Sequence, residues 1–441
     1  LREILREEWG YDGVVMSDWT AVYDRLKALR AGLDLEMPGP ARYHAAKLVA
    51  AVESGELEEE ALNRSVRRLL ILHERVQAGK RDARLHDPDA HHALARRAAA
   101  ECIVLLKNER RVLPLAKESL GTLAVIGRLA RAPRYQGGGS ARVTPTKLEI
   151  PYDEIVRVAG DGVRVTFAPG YRDEDALDEA LIAESVAAAR EAGAAVLFVG
   201  HPEGTESEGF DSARIDLPAQ QVKLIQAVSA VQPNCVVVLS NGSAVAMAPW
   251  IGGVPAVIEM WLAGQAAGGA VADIVFGEAN PSGKLSESFP VKLSDNPSYL
   301  SFGGEMGKAV YAEGLFVGYR YYDKKELEPQ FPFGHGLSYT EFAYSDLRVS
   351  GDAAGVTVCC RVRNAGERYG QEVVQLYVRD EECRRIRPVK ELKGFRKIGL
   401  QPGEEAEIAF ALEERDFSYY DPDLGGWVAD AGTFEFLVGS S

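Results

Sequence analysis

Two groups of acidic side chains in this sequence have the surroundings that catalysis asks of a carboxylate. Asp18 stands between Ser17 and Trp19 at the end of the short β-rich run Gly13-Val14-Val15-Met16-Ser17-Asp18-Trp19. In βα architectures the carboxyl end of a strand is where ligands bind. An acid beside a large aromatic face suits a sugar, because the ring stacks on C–H groups while the carboxylate reaches the ring carbon. Asp also caps helices, and the local sequence leaves capping and catalysis equally open. The second group is Glu203, Glu206, Glu208 and Asp211, directly after the apolar run Ala194–Gly200. Four acids so close repel one another, which favours one keeping its proton near neutrality, as a general acid requires. A solvated acidic loop is the alternative, and Gly204 and Gly209 suit either.

Other motifs fail on spacing. Gly277-Glu278-Ala279-Asn280-Pro281-Ser282-Gly283-Lys284 has one residue too many for a phosphate loop, and Leu285 stands where Ser or Thr would hold magnesium. Gly137-Gly138-Gly139-Ser140 lacks the dinucleotide register. His91-His92 opens a charged helix with no completing ligand, so the pair is expected to be solvated and not to bind a metal. No Gly-x-Ser-x-Gly elbow occurs. No metal and no cofactor is expected.

The elements that must position these acids alternate in type. Leu1–Glu8 reads as the end of a helix; the Asp18 run, a helix over Ala21–Ala31, a second short run Leu33–Pro38 and two helices between Ala41 and Ala78 follow. This is a βα pattern implying a parallel sheet. Charged Lys80–His91 with Pro88 suits a linker. Strands are expected at Thr122–Gly127, Val163–Phe167, Ala194–Gly200, Cys235–Ser240 and Ala256–Trp261, with helices at Asp175–Ala192, Pro218–Val231 and Ala266–Phe276. Val356–Arg363, Glu372–Arg379, Ala406–Leu412 and Thr433–Gly439 alternate apolar and polar residues, as in a β-sandwich. The apolar stretch Val254–Gly277 carries Glu259 and Asp273, which disfavours a membrane span and favours buried core.

The chain has 441 residues, a length prior of about three domains. Its net charge of −15 disfavours nucleic acid and anionic membranes as partners. Five scattered cysteines fit buried free thiols, compatible with a reducing compartment. The first residues, Leu1-Arg2-Glu3-Ile4, carry neither Met nor a signal peptide.

Gly13–Trp19 followed by Gly32-Leu33-Asp34-Leu35-Glu36-Met37-Pro38-Gly39 resembles the end of the barrel domain in glycoside hydrolase family 3. Glu206–Asp211 with Asp216-Leu217-Pro218 resembles that family's acid/base loop. Asn280–Leu285, Gly318–Tyr322 and Phe331–Tyr339 are similar to its later signatures, and Arg387-Pro388 with Lys390–Phe395 to its fibronectin-type-III-like tail. The resemblance implies an α/β fold class with three parts. These are the C-terminal remnant of a TIM-like (β/α) barrel at 1–80 (linker 81–91), an α/β sandwich at 92–300 and, after a connecting segment 301–340, a fibronectin-type-III-like β-sandwich at 341–441.

It implies a retaining, exo-acting β-glycosidase of the β-glucosidase type. Asp18 takes the nucleophile position and Glu208 the acid/base position, with Trp19, Met16 and Ser140 binding substrate. Retaining chemistry sets the two carboxyls about 5–5.5 Å apart, so a cleft between domains is expected. The alternatives are a β-xylosidase or arabinosidase with the same machinery, or a fragment inactive without the front of its barrel. Expected partners are a small β-glucoside or oligosaccharide and that N-terminal barrel half, with homo-oligomerisation open. Two departures stand out. Ser212 follows Asp211 where the family has Arg, with Arg214 two positions later, and no insert follows Ser140.

Overall fold

The structure, a computed structural model, describes residues 1–40, 42–80, 87–173, 176–352 and 355–441. It divides into two compact units, Leu1–His86 and Asp87–Ser441.

In the first unit a π-helical segment Arg2–Glu8 precedes β1 (Met16–Trp19), α1 (Arg25–Arg30), β2 (Leu35–Met37), α2 (Arg42–Glu53) and α3 (Glu59–Gly79). β1 and β2 are parallel, as the βα pattern requires. Leu29, Ala51, Leu57 and Ala61 form a small core between the helices. Asp24 caps α1 by accepting the Lys27 amide. Capping therefore falls six residues after Asp18.

The second unit begins with α4 (Pro88–Cys102), capped by Asp87 through the amides of Asp89 and Ala90. The expected linker is shorter on this side, because 88–91 form the first turn of α4; positions 81–86 lie outside the described residues. There follow β3 (Val104–Asn108), α5 (Lys117–Leu120), β4 (Thr122–Ile126), α6 (Pro151–Ala159), β5 (Arg164–Ala168) and α7 (Glu179–Glu191). The run continues with β6 (Ala194–Gly200), α8 (Ala219–Ser229), β7 (Cys235–Ser240), β8 (Ala256–Glu259) and α9 (Ala267–Phe276). The expected helix at Asp175–Ala192 starts later, at Glu179, because Asp178 is its cap. Val254–Gly277 is strand and helix of this core, and no helix among the described residues is long and apolar enough to cross a membrane.

These strands form one sheet in the order β3-β8-β7-β6-β4-β5, parallel except for β3. All of β6 is buried, as a central strand covered on both faces must be. Ala194, Val196 and Phe198 face the core shared with α6 and α9, while Ala195, Leu197 and Val199 face that shared with α8. The chain leaves β4 towards β5 over one face and leaves β6 towards β7 over the other. The order therefore reverses between β4 and β6, and at such a switch point the loops at the carboxyl ends part and leave a crevice.

α10 (Tyr319–Lys325) lies in the connecting segment. The outer edge of β3 is closed by the stretch that follows α10: Leu337 donates its amide to Leu105 O at 2.8 Å, and His335 Nε2 lies 2.8 Å from Leu106 O. The chain then forms β9 (Phe342–Asp352), β10 (Gly355–Asn364), β11 (Gly370–Asp380), β12 (Glu391–Leu400), β13 (Glu405–Leu412) and β16 (Phe434–Gly439), with the small pair β14 (Tyr419–Asp421) and β15 (Gly426–Val428) before the last. Sheets β13-β10-β9 and β12-β11-β16 enclose Val358, Val362, Val374, Leu376 and Phe410. Lys284 lies 3.1 Å from the buried Glu372 carboxylate and ties this sandwich to the α/β part.

All five thiols are free. Cys235 and Cys360 are buried as expected, whereas Cys102 is exposed because it ends α4 on its outer side. His92 also differs from the expectation of solvation. It is buried, with Nε2 2.8 Å from Glu149 and Nδ1 2.7 Å from the Gln265 amide, on α4, which packs against α9.

Candidate active site

The crevice at the β4–β6 switch is where the second acidic group falls. The loop after β4 carries Gly137–Ser140, and the loop after β6 carries Glu203–Asp211. The two run side by side, with a parallel bridge between Gly138 and Ser207 and the Gly138 amide donating to Glu206 O at 3.3 Å. Ser140 donates its amide to Glu208 Oε2 at 2.8 Å and its hydroxyl to the same oxygen. The approach needs glycine at 139, which has φ +78° and where a Cβ would lie 2.6 Å from Glu208 Cβ. Glu208 and Ser140 are exposed, as is Phe210 two residues on.

The expectation that mutual repulsion keeps one of these acids protonated is not met by the described pair. The Ser140 hydroxyl and then its amide hold the Glu208 carboxyl below the usual carboxylate range. Burial pushes the Glu206 carboxyl up, but the Ser243 hydroxyl, the Gly242 amide and Arg134 outweigh it and leave Glu206 low as well. Each acid has donors of its own, so neither draws on its neighbour. Glu203 pairs with Arg142.

In the first unit Met16, Asp18 and Trp19 lie together on β1, all exposed. Asp18 Oδ1 accepts the Trp19 amide at 2.6 Å. β1 is held from below by residues that the sequence reading passed over. Asp34, 5% exposed, accepts the Val15 amide at 2.9 Å and Arg6 at 2.6 Å on one oxygen, and Ser65 and Arg68 on the other. The Met37 amide donates to Ser17 Oγ at 2.8 Å. Glu36, just above Asp34 on β2, pairs with Arg25 at 3.6 Å and with His44.

Further residues around Glu208 also escaped the sequence reading. Arg134, Gly242 and Ser243 converge on Glu206. Behind them the fully buried Glu259 accepts from Asn241 Nδ2 at 3.0 Å and from the Trp261 amide at 2.8 Å. The signal available was positional: Asn241-Gly242-Ser243 follows a buried strand at its carboxyl end, as both acid-bearing stretches do.

The chain matches the glycosyl hydrolase family 3 N-terminal domain over residues 1–72, the C-terminal domain of that family over 103–339 and a fibronectin type III-like domain over 372–441. It belongs to glycosyl hydrolase family 3. It is 52% identical to the thermostable beta-glucosidase B of Acetivibrio thermocellus and 42% identical to an exo-alpha-(1->6)-L-arabinopyranosidase of Bifidobacterium longum. Both matches cover 100% of this chain and 59% of the relative. The crystal structure of a Bifidobacterium adolescentis GH3 beta-glucosidase superposes with a TM-score of 0.94 at 44% identity, covering 100% of this chain and 64% of that one. The chain thus spans less than two thirds of the length of these relatives.

Proposed function

We propose that this chain carries both catalytic carboxylates of a retaining, exo-acting β-glucosidase that releases terminal glucose from β-glucosides and oligosaccharides. Asp18 attacks the anomeric carbon while Glu208 protonates the leaving oxygen. Glu208, then ionised, takes a proton from water, which releases the sugar from Asp18. The observation that carries this reading is the paired donation of Ser140 to Glu208 in an exposed loop at the switch point. Those bonds favour the ionised form needed in the second step; the proton for the first is gained as bound sugar displaces water from the carboxyl. Trp19 and Met16 offer apolar surface to the sugar, and Ser140 a hydroxyl beside the acid. A beta-glucosidase at 52% identity supports the substrate class.

β1 and β2 pair only with each other among the described residues, and a two-stranded sheet is marginal in water. Met16, Trp19 and Tyr23 are more than half exposed. We therefore include a barrel-completing polypeptide among the partners. A 2-fluoro-glucoside tests the assignment by mass spectrometry, on the chain alone and with that polypeptide added. A covalent label on Asp18 is expected in the active form; a label elsewhere, or turnover with none, overturns it.

An arabinopyranosidase is the second reading, favoured by the relative at 42% identity that bears that name. The ratio of kcat/KM for aryl β-glucoside to that for aryl α-L-arabinopyranoside decides between them.

A further inference from the structure

Glu206 and Glu208 stand two residues apart on one loop, yet their surroundings are opposite. The Glu206 side chain is 11% exposed and Arg134 beside it 7%. Its Oε1 accepts the Gly242 amide at 3.0 Å, the Ser243 amide at 3.1 Å and the Ser243 hydroxyl at 2.7 Å. Oε2 accepts Arg134 Nη1 and shares the Gly242 amide at 3.0 Å. The main-chain oxygen of the same residue accepts Arg134 Nη2 at 3.2 Å and the Gly138 amide at 3.3 Å, while Arg134 Nη1 also reaches His201 O at 3.0 Å. One residue thus ties the loop after β6 to the loops after β4 and β7. Two residues of chain span at most about 7 Å, so fixing Glu206 confines Glu208 to the neighbourhood of Ser140.

We propose that Glu206 is the positioning residue of the acid/base: a hydrogen-bonded latch that sets where the Glu208 carboxylate stands, without touching substrate. The proposal rests on the reading of Glu208 as acid/base. The charged and titratable groups around the latch agree with it. Arg134 comes from the β4 loop and is the paired cation. Burial pushes His201, the residue after β6, down. Glu259 from β8 and Glu287, the two further acids acting on this site, are both pushed up by burial. With five donor contacts on its two oxygens, Glu206 has no free edge from which to deliver a proton, which separates its role from that of Glu208.

The test compares leaving groups in the intact, active enzyme. A 2,4-dinitrophenyl β-glucoside needs no proton to depart, so its kcat/KM reports attack alone; an alkyl β-glucoside needs the acid. For Glu206→Gln, kcat/KM on the alkyl glucoside is expected to fall roughly 10–100-fold, part of what a well-placed acid supplies. The dinitrophenyl value should stay within about threefold. Ser243→Ala, which removes one contact and spares the charge, should fall in the same selective way by roughly 3–10-fold. A merely structural role would lower both substrates together, and that result in both variants overturns the latch. So does azide rescue of Glu206→Ala in place of Glu208→Ala, which would put the acid at 206. Glu208→Gln is run alongside. If it shows no leaving-group selectivity, the acid/base reading fails; if it does and neither latch variant follows, only the latch fails.

Discussion

Ser140 offers its amide and its hydroxyl to one oxygen of Glu208, the Oε2, with the amide at 2.8 Å. Both donors favour the ionised carboxyl and lower its pKa. A general acid is active only while protonated, so its pKa sets the alkaline limb of the kcat/KM profile. Ser140→Ala removes the larger of the two donors, the Glu208 pKa rises, and the alkaline limb should move to higher pH. A limb that stays put or moves down would show that the hydroxyl does not hold the acid.

The glycines of that loop are not equivalent. Gly139 has φ +78°, and a Cβ there would sit 2.9 Å from Glu208 Oε2; at Gly137 the nearest atom to an added Cβ is 3.9 Å away. Gly139→Ala is expected to cost about 1–2 kcal/mol from the left-handed backbone and to lower kcat/KM on alkyl glucosides at least tenfold. Gly137→Ala should be silent in both. Equal effects in urea unfolding and in kinetics would mean that the loop does not fit this tightly around Glu208.

Glu208→Ala has an expected signature of its own. Unactivated glucosides should lose roughly 10²–10⁴-fold in kcat/KM, dinitrophenyl glucoside little, and azide should restore turnover while yielding a glycosyl azide. Losses of the same size for both substrates would remove Glu208 from the acid role.

Glu259 predicts how stability changes with pH. Burial raises its carboxyl well above the ordinary value in the fold, so the folded chain holds a proton that the unfolded chain has released. Stability therefore falls as pH rises above the unfolded pKa and until the folded pKa is reached, by up to about 1.4 kcal/mol per pH unit. Glu259→Gln lacks that slope. Urea unfolding between pH 5 and 8 should show the variant gaining on the parent as pH rises; parallel curves would mean that Glu259 is ionised when folded.

Regular elements with a single consistent pattern were legible. Ala194–Gly200 and Cys235–Leu239 are apolar runs that stop at His201 and at Ser240-Asn241, and the expected strands Ala194–Gly200 and Cys235–Ser240 have those limits. β12 was not legible, because Lys393, Arg396 and Lys397 interrupt its apolar positions and Gly394 and Gly399 weaken the pattern. The acids were legible as a group but not as individuals. Whether Glu206 or Glu208 is buried depends on Arg134, Gly242 and Ser243, between 36 and 72 residues away, and no local spacing encodes that. Asp18 was left between capping and catalysis, and Asp24 settles the capping half by accepting the Lys27 amide.

The last strand of the six-stranded sheet ends at Glu259 and its last helix at Phe276, yet the family's C-terminal domain continues to residue 339. His335 and Leu337 give a reason for those further sixty or so residues. β3 lies at the rim of the sheet, and an unpaired rim strand is a template for copies of itself. A polypeptide stopped after Phe276 would keep every strand and still present Val104–Asn108 as a sticky margin. The long return through Phe331 and Leu337 works as a hem on that margin, stitched by the Leu337 amide to Leu105 O and by His335 beside Leu106 O.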